Sequence, residues 1–305
     1  MACFVDQQSD PALWTQLGEV ISKSGLPLQA SVPMQQSFYQ PMQTRPPGLA
    51  AQGPFLDLAW SSISLHWLSE SQFESPDVLL STDLPEGSPD RLRTAATANA
   101  DWSAFLRARA GELVPGGFLI LAIPARYQSA WPPPRHRSDD DPDREIPGRY
   151  AAMRSPPPVH PEYWTSRLVE VKRALEREGV ITAAECARIT VPWHLRTPKE
   201  LLRPLLADEE VTSSYTVERY TFHLQPCSVL AAHARGVLTQ AQAASRFTDQ
   251  IRGFFSSTLE AVLAGGPGGA ARCETFWARV RSDFEAKLPL HGMGLSSHQL
   301  VLRRL

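Results

Sequence analysis

The run Phe118-Leu-Ile-Leu-Ala-Ile123 is the strongest candidate for a buried strand in this chain. Pro115-Gly116-Gly117 stands directly before it and is typical of a turn. A long amphipathic helix is predicted upstream, over residues 89–113, with apolar side chains on one side and charged ones on the other. Helix, turn and buried strand in this order predict an α/β protein built on a doubly wound sheet.

Further strands and helices extend this pattern along the chain. The run Phe55-Leu-Asp-Leu-Ala-Trp-Ser61 is almost continuously apolar, which is expected when helices cover both faces of a parallel sheet. A short helix is predicted at Leu65 to Leu68. The other predicted sheet strands are Phe4–Asp6, Val217–Leu224 and Ser297–Leu302. The later helices are predicted over 161–178, 228–238, 240–263 and 271–288, and a further helix is predicted to begin at Pro198 with Thr197 as its cap.

Four parts of the chain follow from these elements. They are part of a Rossmann-like core at 1–130, a proline-rich loop at 131–160, a mainly helical cap at 161–288 with a core strand near 217–224, and a final core strand at 289–305.

Composition excludes several function classes. The 305 residues are 43% hydrophobic, and 30 Lys and Arg against 32 Asp and Glu give a formal charge of -2. This balance offers no field for a nucleic acid or an anionic membrane. The four cysteines show no CxxC spacing, and no signal peptide or membrane span is apparent. We therefore expect a cytoplasmic protein without a metal site, whose acidic run at 139–145 is a solvated loop.

Three stretches carry a resemblance to a known family. They are Asp57-Leu-Ala-Trp-Ser-Ser-Ile-Ser-Leu-His-Trp-Leu-Ser69, then residues 101–121 with their Pro-Gly-Gly turn, and Glu178-Gly-Val-Ile181 followed by residues 189–201. Together they resemble the salicylate/benzoate/theobromine (SABATH-type) family of S-adenosylmethionine-dependent methyltransferases. The first stretch is the most specific, because a Pro-Gly-Gly turn before an apolar strand occurs across many methyltransferases. Val5-Asp6 and Gln36-Ser-Phe-Tyr39 fit the same order upstream.

The resemblance has one departure. The family's first cofactor-binding strand and its Gly/Ser-rich loop precede the acid that Asp6 resembles, and nothing here matches them. We expect either a truncated chain or a remodelled one. Loss of a central strand would leave two strand edges unpaired and favour association, such as a homodimer.

The resemblance implies a Rossmann-like methyltransferase sheet with a helical cap and S-adenosylmethionine as cofactor. The implied activity is methyl transfer to the carboxyl group of a small-molecule acid in secondary metabolism, with a ring nitrogen as the second choice. Such transfer relies on positioning and desolvation rather than on a catalytic triad. Two alternatives stay open: a cyclisation or rearrangement on the same fold, and a non-catalytic truncated remnant that serves in binding.

The implied cofactor contacts are Asp6 on the ribose, Ser37 and Phe38 against the adenine, and Ser61 and Ser62 near the methionine end. Each has a structural alternative. Asp6 could cap a helix or lie in a solvated turn, Phe38 could fill the core, and the two later serines could cap the predicted helix at Leu65.

The implied substrate contacts are His66, Trp67 and Trp193. In the family, the pair at 66 and 67 faces the acceptor carboxyl, and the indole N–H donates to one of its oxygens. A packed core position is the alternative for each of the two side chains. His194 and Arg196 follow Trp193, and the guanidinium could clamp an acidic acceptor or serve as scaffolding, which is commoner in segments bounded by proline.

Overall fold

A computed structural model describes residues 4–5, 33–34, 39–42, 53–62, 64–70, 73–125, 163–288 and 294–305. Its strands are β1 (Phe4–Val5), β2 (Pro33–Met34), β3 (Leu56–Ser62), β4 (Leu113–Pro124), β5 (Tyr215–Pro226) and β6 (Gly294–Arg304). Its α-helices are α1 (Pro89–Glu112), α2 (Tyr163–Arg177), α3 (Ala183–Arg188), α4 (Pro198–Ala207), α5 (Glu209–Thr212), α6 (Ser228–Ala234), α7 (Gln240–Leu263) and α8 (Gly269–Lys287). A 3₁₀ turn lies at Ser81–Asp83.

Four strands form a mixed sheet in the order β3-β4-β6-β5. β3 and β4 run parallel, whereas β6 is antiparallel to both β4 and β5. β1 and β2 form a separate parallel pair. The predicted strand Phe118–Ile123 therefore lies inside the sheet, hydrogen-bonded on both sides, which confirms the predicted fold class.

Gly116 and Gly117 shape the entry to the paired part of β4. The predicted turn at Pro115-Gly116-Gly117 lies within β4, which begins at Leu113 directly after α1, and the pairing with β3 skips from Leu113 to Phe118 across it. Gly116 has φ of 83°, a left-handed backbone that favours glycine. At Gly117 a Cβ atom would lie 2.9 Å from the carbonyl oxygen of Val114 and 3.1 Å from those of Leu56 and Asp57. Gly116 therefore meets a torsional requirement, and Gly117 leaves room for the backbone of β3.

α1 begins with a serine cap followed by a proline. The Ser88 hydroxyl accepts a hydrogen bond from the Arg91 N–H at 3.4 Å, and Pro89 occupies the first helical position. Trp102, fully buried, donates its indole N–H to the carbonyl of Leu201 at 2.9 Å. This bond ties α1 to α4, whose start is capped by Thr197 in a capping box with Glu200.

The sheet's two faces differ in burial. One face packs against α1 and α4 in a core that includes Leu119, Leu121 and Leu300. On the other face Leu58, Trp60, Phe118 and Ile120 are 41%, 58%, 40% and 37% exposed. The expectation that helices cover β3 on both faces is therefore not met by the part of the chain that the structure describes.

A second core fills the helical region. It draws on α2, α3, α6, α7 and α8, and Phe255, Phe276 and Phe284 are fully buried within it. The predicted helices of this region are all present, with ends shifted by up to four residues. None of the helices within the described ranges is long and apolar enough to cross a membrane.

The prediction of a helix at Leu65 to Leu68 is wrong. These residues form a turn, in which the Trp67 N–H donates to the carbonyl of Ser64 at 3.1 Å. The next N–H, that of Leu68, donates to the carbonyl of Pro192 at 2.7 Å instead of to a residue four positions earlier. A distant segment has therefore taken the backbone partners that a helix would need.

Candidate functional site

Two segments cross beyond the carboxyl end of β3. We call residues 64–68 the site loop and residues 191–196 the crossing segment. Trp67 and Trp193 form an antiparallel bridge, and the His194 N–H donates to the His66 carbonyl at 2.8 Å. The crossing brings together His66, Trp67 and Trp193, the three residues predicted to contact substrate.

An aromatic cluster surrounds Trp193. Its ring centroid lies 4.5 Å from His66, 5.3 Å from Trp67, 5.8 Å from Trp164 and 5.1 Å from Phe254. Trp193 and His66 are buried, whereas Trp67, Trp164 and Phe254 are half-buried. The cluster therefore offers partly accessible aromatic surfaces around a buried centre, as a small-molecule pocket does.

Two buried polar atoms stand out in this cluster. His66 Nδ1 and Trp193 Nε1 have no hydrogen-bond partner among the described residues. Leaving a buried polar group unsatisfied costs about 1–3 kcal/mol, so such atoms mark a place where a further group is expected to bind. Burial, followed by the charge of Arg196, lowers the pKa of His66 to about 3, so its imidazole is neutral at pH 7.

The serines at the end of β3 lie beside this loop. Ser61 is half-buried, Ser62 is exposed, and they pair with Leu121 and Ala122 of β4. Their alternative role as helix caps is wrong, because residues 64–70 form no helix. The other predicted cofactor residues, Asp6, Ser37 and Phe38, lie outside the described residues.

Sequence reasoning missed Tyr39, which follows Phe38 directly. Its side chain is buried and its hydroxyl donates to the carbonyl of Trp67. Nearby, Arg109 donates to the Gln40 carbonyl at 2.9 Å, and the Met42 N–H donates to Glu112 at 2.6 Å. The segment at 39–42 is thus fastened to both the site loop and α1.

Trp164 and Phe254 were also missed as members of the cluster. The available signals were a tryptophan at the start of the cap and the adjacent phenylalanines at 254 and 255, which point to two sides of a helix. Phe255 is fully buried in the helical core, whereas Phe254 is half-buried and packs against that core from the side of Trp164 and Trp193.

The suggestion that Arg196 clamps an acidic acceptor is wrong. The side chain is 1% exposed, and its guanidinium donates to the backbone carbonyls of Leu65 and Ala98, the latter at 2.7 Å. His194 lies 3.0 Å from Glu200 through its Nε2 atom. Burial alone would raise the pKa of Glu200, but hydrogen bonds from His194 and Thr197 outweigh it and lower that pKa to about 2. Both residues of the crossing segment therefore hold structure.

Within the described ranges, no group of three or more His, Cys, Asp and Glu side chains is arranged to hold a metal ion.

The sheet order, with the antiparallel β6 between β4 and β5, and the helices packed on the sheet define a mixed α/β protein. The solved structure of loganic acid methyltransferase with SAH aligns with a TM-score of 0.59 at 16% identity, over 99% of this chain and 73% of that one. The chain therefore has a Rossmann-like methyltransferase fold.

Two further solved structures align less well. Coclaurine N-methyltransferase bound to N-methylheliamine and SAH gives a TM-score of 0.39 at 7% identity, over 98% of this chain and 57% of that one. The [4+2]-cyclase SpnF gives 0.35 at 12% identity, over 99% and 64%. Neither score carries an argument about function. No protein-family model matches the sequence, and no curated protein matches it significantly.

Proposed function

We propose that this chain is an S-adenosylmethionine-dependent methyltransferase that acts on the carboxyl group of a small-molecule acid. The observation that carries the proposal is the pair of buried, unpartnered nitrogens, His66 Nδ1 and Trp193 Nε1, beside the half-buried Trp67. All three lie beyond the carboxyl end of a parallel strand, where ligands of α/β sheets bind.

Of the residues predicted to contact the cofactor, Ser61 and Ser62 lie within the described part of the chain. Ser61 and Ser62 offer a half-buried and an exposed hydroxyl at the end of β3. Asp6, Ser37 and Phe38 lie outside the described residues; the resemblance assigns Asp6 to the ribose hydroxyls and Ser37 and Phe38 to the adenine. When bound, S-adenosylmethionine supplies an activated methyl group.

The chain's own residues then orient the acceptor. Trp67 donates its indole N–H to one carboxylate oxygen, and the aromatic cluster excludes water from the other side. A carboxylate is ionised at pH 7 and has no proton to lose before it attacks. Since His66 has a pKa of about 3, it is a weak base, and this favours a carboxylate over an acceptor that must first be deprotonated.

Incubation with S-adenosylmethionine labelled in its methyl group, and with a panel of aromatic and aliphatic acids, tests the proposal. We expect label in a methyl ester of at least one acid. Turnover of an unsaturated precursor without label transfer would favour cyclisation or rearrangement instead. If the protein shows no turnover and calorimetry detects no cofactor binding, the non-catalytic remnant is the better account.

Trp67→Phe tests the acceptor contact, because it keeps most of the side-chain volume and removes the N–H. Loss of one hydrogen bond to a charged group, about 1.5–3 kcal/mol, predicts a fall in kcat/KM of about 10- to 150-fold. Trp277→Phe is the matched control, since Trp277 is a buried tryptophan of the cap core. Normal turnover by Trp67→Phe would contradict the assigned role.

A further inference from the structure

Three successive carbonyl oxygens of the site loop are held by groups from elsewhere in the chain. Leu65 O accepts from the Arg196 guanidinium, His66 O accepts from the His194 N–H at 2.8 Å, and Trp67 O accepts from the Tyr39 hydroxyl. Within the loop, the Trp67 N–H donates to the Ser64 carbonyl at 3.1 Å, but the described loop residues form no helix that would bind the carbonyls of residues 65–67. Its conformation, and with it the placement of the Trp67 indole, therefore depends on distant partners.

The backbone of Arg196 is hydrogen-bonded to a side chain of the sheet. Its backbone carbonyl accepts from His298 Nε2 at 2.9 Å, and His298 Nδ1 lies 2.9 Å from the Tyr220 hydroxyl. A carbonyl can only accept, so Nε2 carries the hydrogen of the imidazole and Nδ1 accepts from Tyr220. Burial lowers the pKa of His298 to about 4, which agrees with a neutral ring holding one proton.

These bonds form a continuous chain from the sheet to the site loop. It runs from Tyr220 on β5 through His298 on β6 to Arg196, and ends at the carbonyl of Leu65. His298 is 0% exposed and Arg196 is 1% exposed, so a ligand in the pocket does not touch them. Any influence on the aromatic cluster has to pass through the backbone of the site loop or through the crossing segment, which carries Trp193.

We propose that Arg196 is a positioning residue that sets the site loop, and that His298 and Tyr220 fix the orientation of Arg196. The part of this inference that concerns turnover rests on the proposed methyl transfer. The part that concerns the geometry of the loop does not, because it can be measured in the protein alone.

The T-shaped pair of Trp67 and Trp193, with ring centroids 5.3 Å apart, supplies the ligand-free measurement. Two indoles this close give a coupled circular-dichroism signal that depends on their relative orientation. Loss of that signal in Trp67→Phe identifies the contribution of the pair. Every other variant is then compared with wild type under the same conditions.

Tyr220→Phe and Tyr215→Phe form the matched pair of variants. Both remove one buried hydroxyl from β5, but the Tyr215 hydroxyl donates to the carbonyl of Leu106 in α1 at 2.9 Å, away from the site loop. We expect Tyr220→Phe to change the indole signal and Tyr215→Phe to leave it unchanged. Equal changes in both would show a general loss of stability and would overturn the proposal.

His298→Leu and His298→Gln give the stronger test. Leucine removes both hydrogen bonds, whereas a glutamine amide can still donate to the Arg196 carbonyl and accept from Tyr220. Because a misplacement of about 1 Å can cost about 100-fold in rate, we expect His298→Leu to lower kcat by about 10- to 100-fold. The KM for S-adenosylmethionine should change little, and His298→Gln should restore most of the activity and the signal.

The outcomes separate the two proposals. Folded His298→Leu and Tyr220→Phe proteins with an unchanged indole signal would overturn the positioning role, whatever their activity. If His298→Leu does not fold, Tyr220→Phe against Tyr215→Phe still decides. If wild type transfers no methyl group to any acid while the indole signal responds as expected, the proposed function fails and the positioning role stands.

Discussion

The two faces of β4 carry equally apolar side chains and have different surroundings. Leu119 and Leu121 are 0% and 1% exposed, whereas their neighbours Phe118 and Ile120 are 40% and 37% exposed. Across the strand gap, Leu302 and Leu300 of β6 lie opposite the buried pair and share its face. Hydrophobicity along a strand therefore does not reveal which side chains stabilise the fold, and the sheet face on which each one lies decides it.

The largest difference between the faces should appear on truncation. Leu121→Ala opens a cavity in the packed core and should lower the free energy of unfolding by about 2–5 kcal/mol. Ile120→Ala, the adjacent residue on the other face, should cost less than about 1 kcal/mol because much of its surface is already in water. Urea denaturation of the two variants measures both values. Equal losses would show that the second face is covered as well as the first.

The buried face also carries a titratable side chain, since His298 lies opposite Ile123. Its pKa is lowered to about 4 by burial, against about 6.5 in an unfolded chain, so the unfolded state binds more protons between these values. The stabilisation is present above pH 6.5 and is lost as the pH falls through 4. At pH 4.5 the loss should be on the order of 2–3 kcal/mol.

Denaturant titrations of wild type and His298→Gln at pH 7 and pH 4.5 isolate this term. Other groups, such as Glu200, also lose stabilising contacts in acid, so the difference between the two proteins is the relevant quantity. We expect His298→Gln to lose less stability on acidification than wild type does. Parallel losses in the two proteins would mean that His298 already binds a proton in the folded state.

The smallest effect is expected at Trp60, which is 58% exposed on the second face. Trp60→Ser should change the free energy of unfolding by no more than about 0.5 kcal/mol, as for other surface substitutions. Thermal unfolding followed by circular dichroism is sufficient to detect a larger change. A loss above about 2 kcal/mol would show that Trp60 is packed, and would contradict the difference in burial between the two sheet faces.

Local patterns predicted most of the described fold. The amphipathic pattern at 89–113 and the apolar run at 118–123 each act through neighbouring residues, so the sequence alone was enough to locate α1 and the paired part of β4. The turn at 65–68 was missed because its backbone partners lie more than a hundred residues away, in the crossing segment. No periodicity in the sequence records such a pairing.

Part of the candidate site was also predictable from the sequence. Residues 66, 67 and 193 were chosen through resemblance, and the crossing of two segments brings their rings together. Tyr39 was missed because its role depends on one carbonyl of the site loop. Arg196 was misassigned as a possible clamp because its charge suggested an anion, while its burial commits it to backbone oxygens. Asp6, Ser37 and Phe38 stay predictions.

The two glycines at the entry to β4 also bear on how this sequence could drift in its relatives. Position 116 is restricted by torsion, so asparagine, which tolerates a left-handed backbone better than most residues, is the substitution we expect to see there. Position 117 is restricted by space, because three backbone oxygens occupy the volume of its missing side chain. Relatives that keep the parallel pairing of β3 and β4 should therefore vary at the first glycine before they vary at the second.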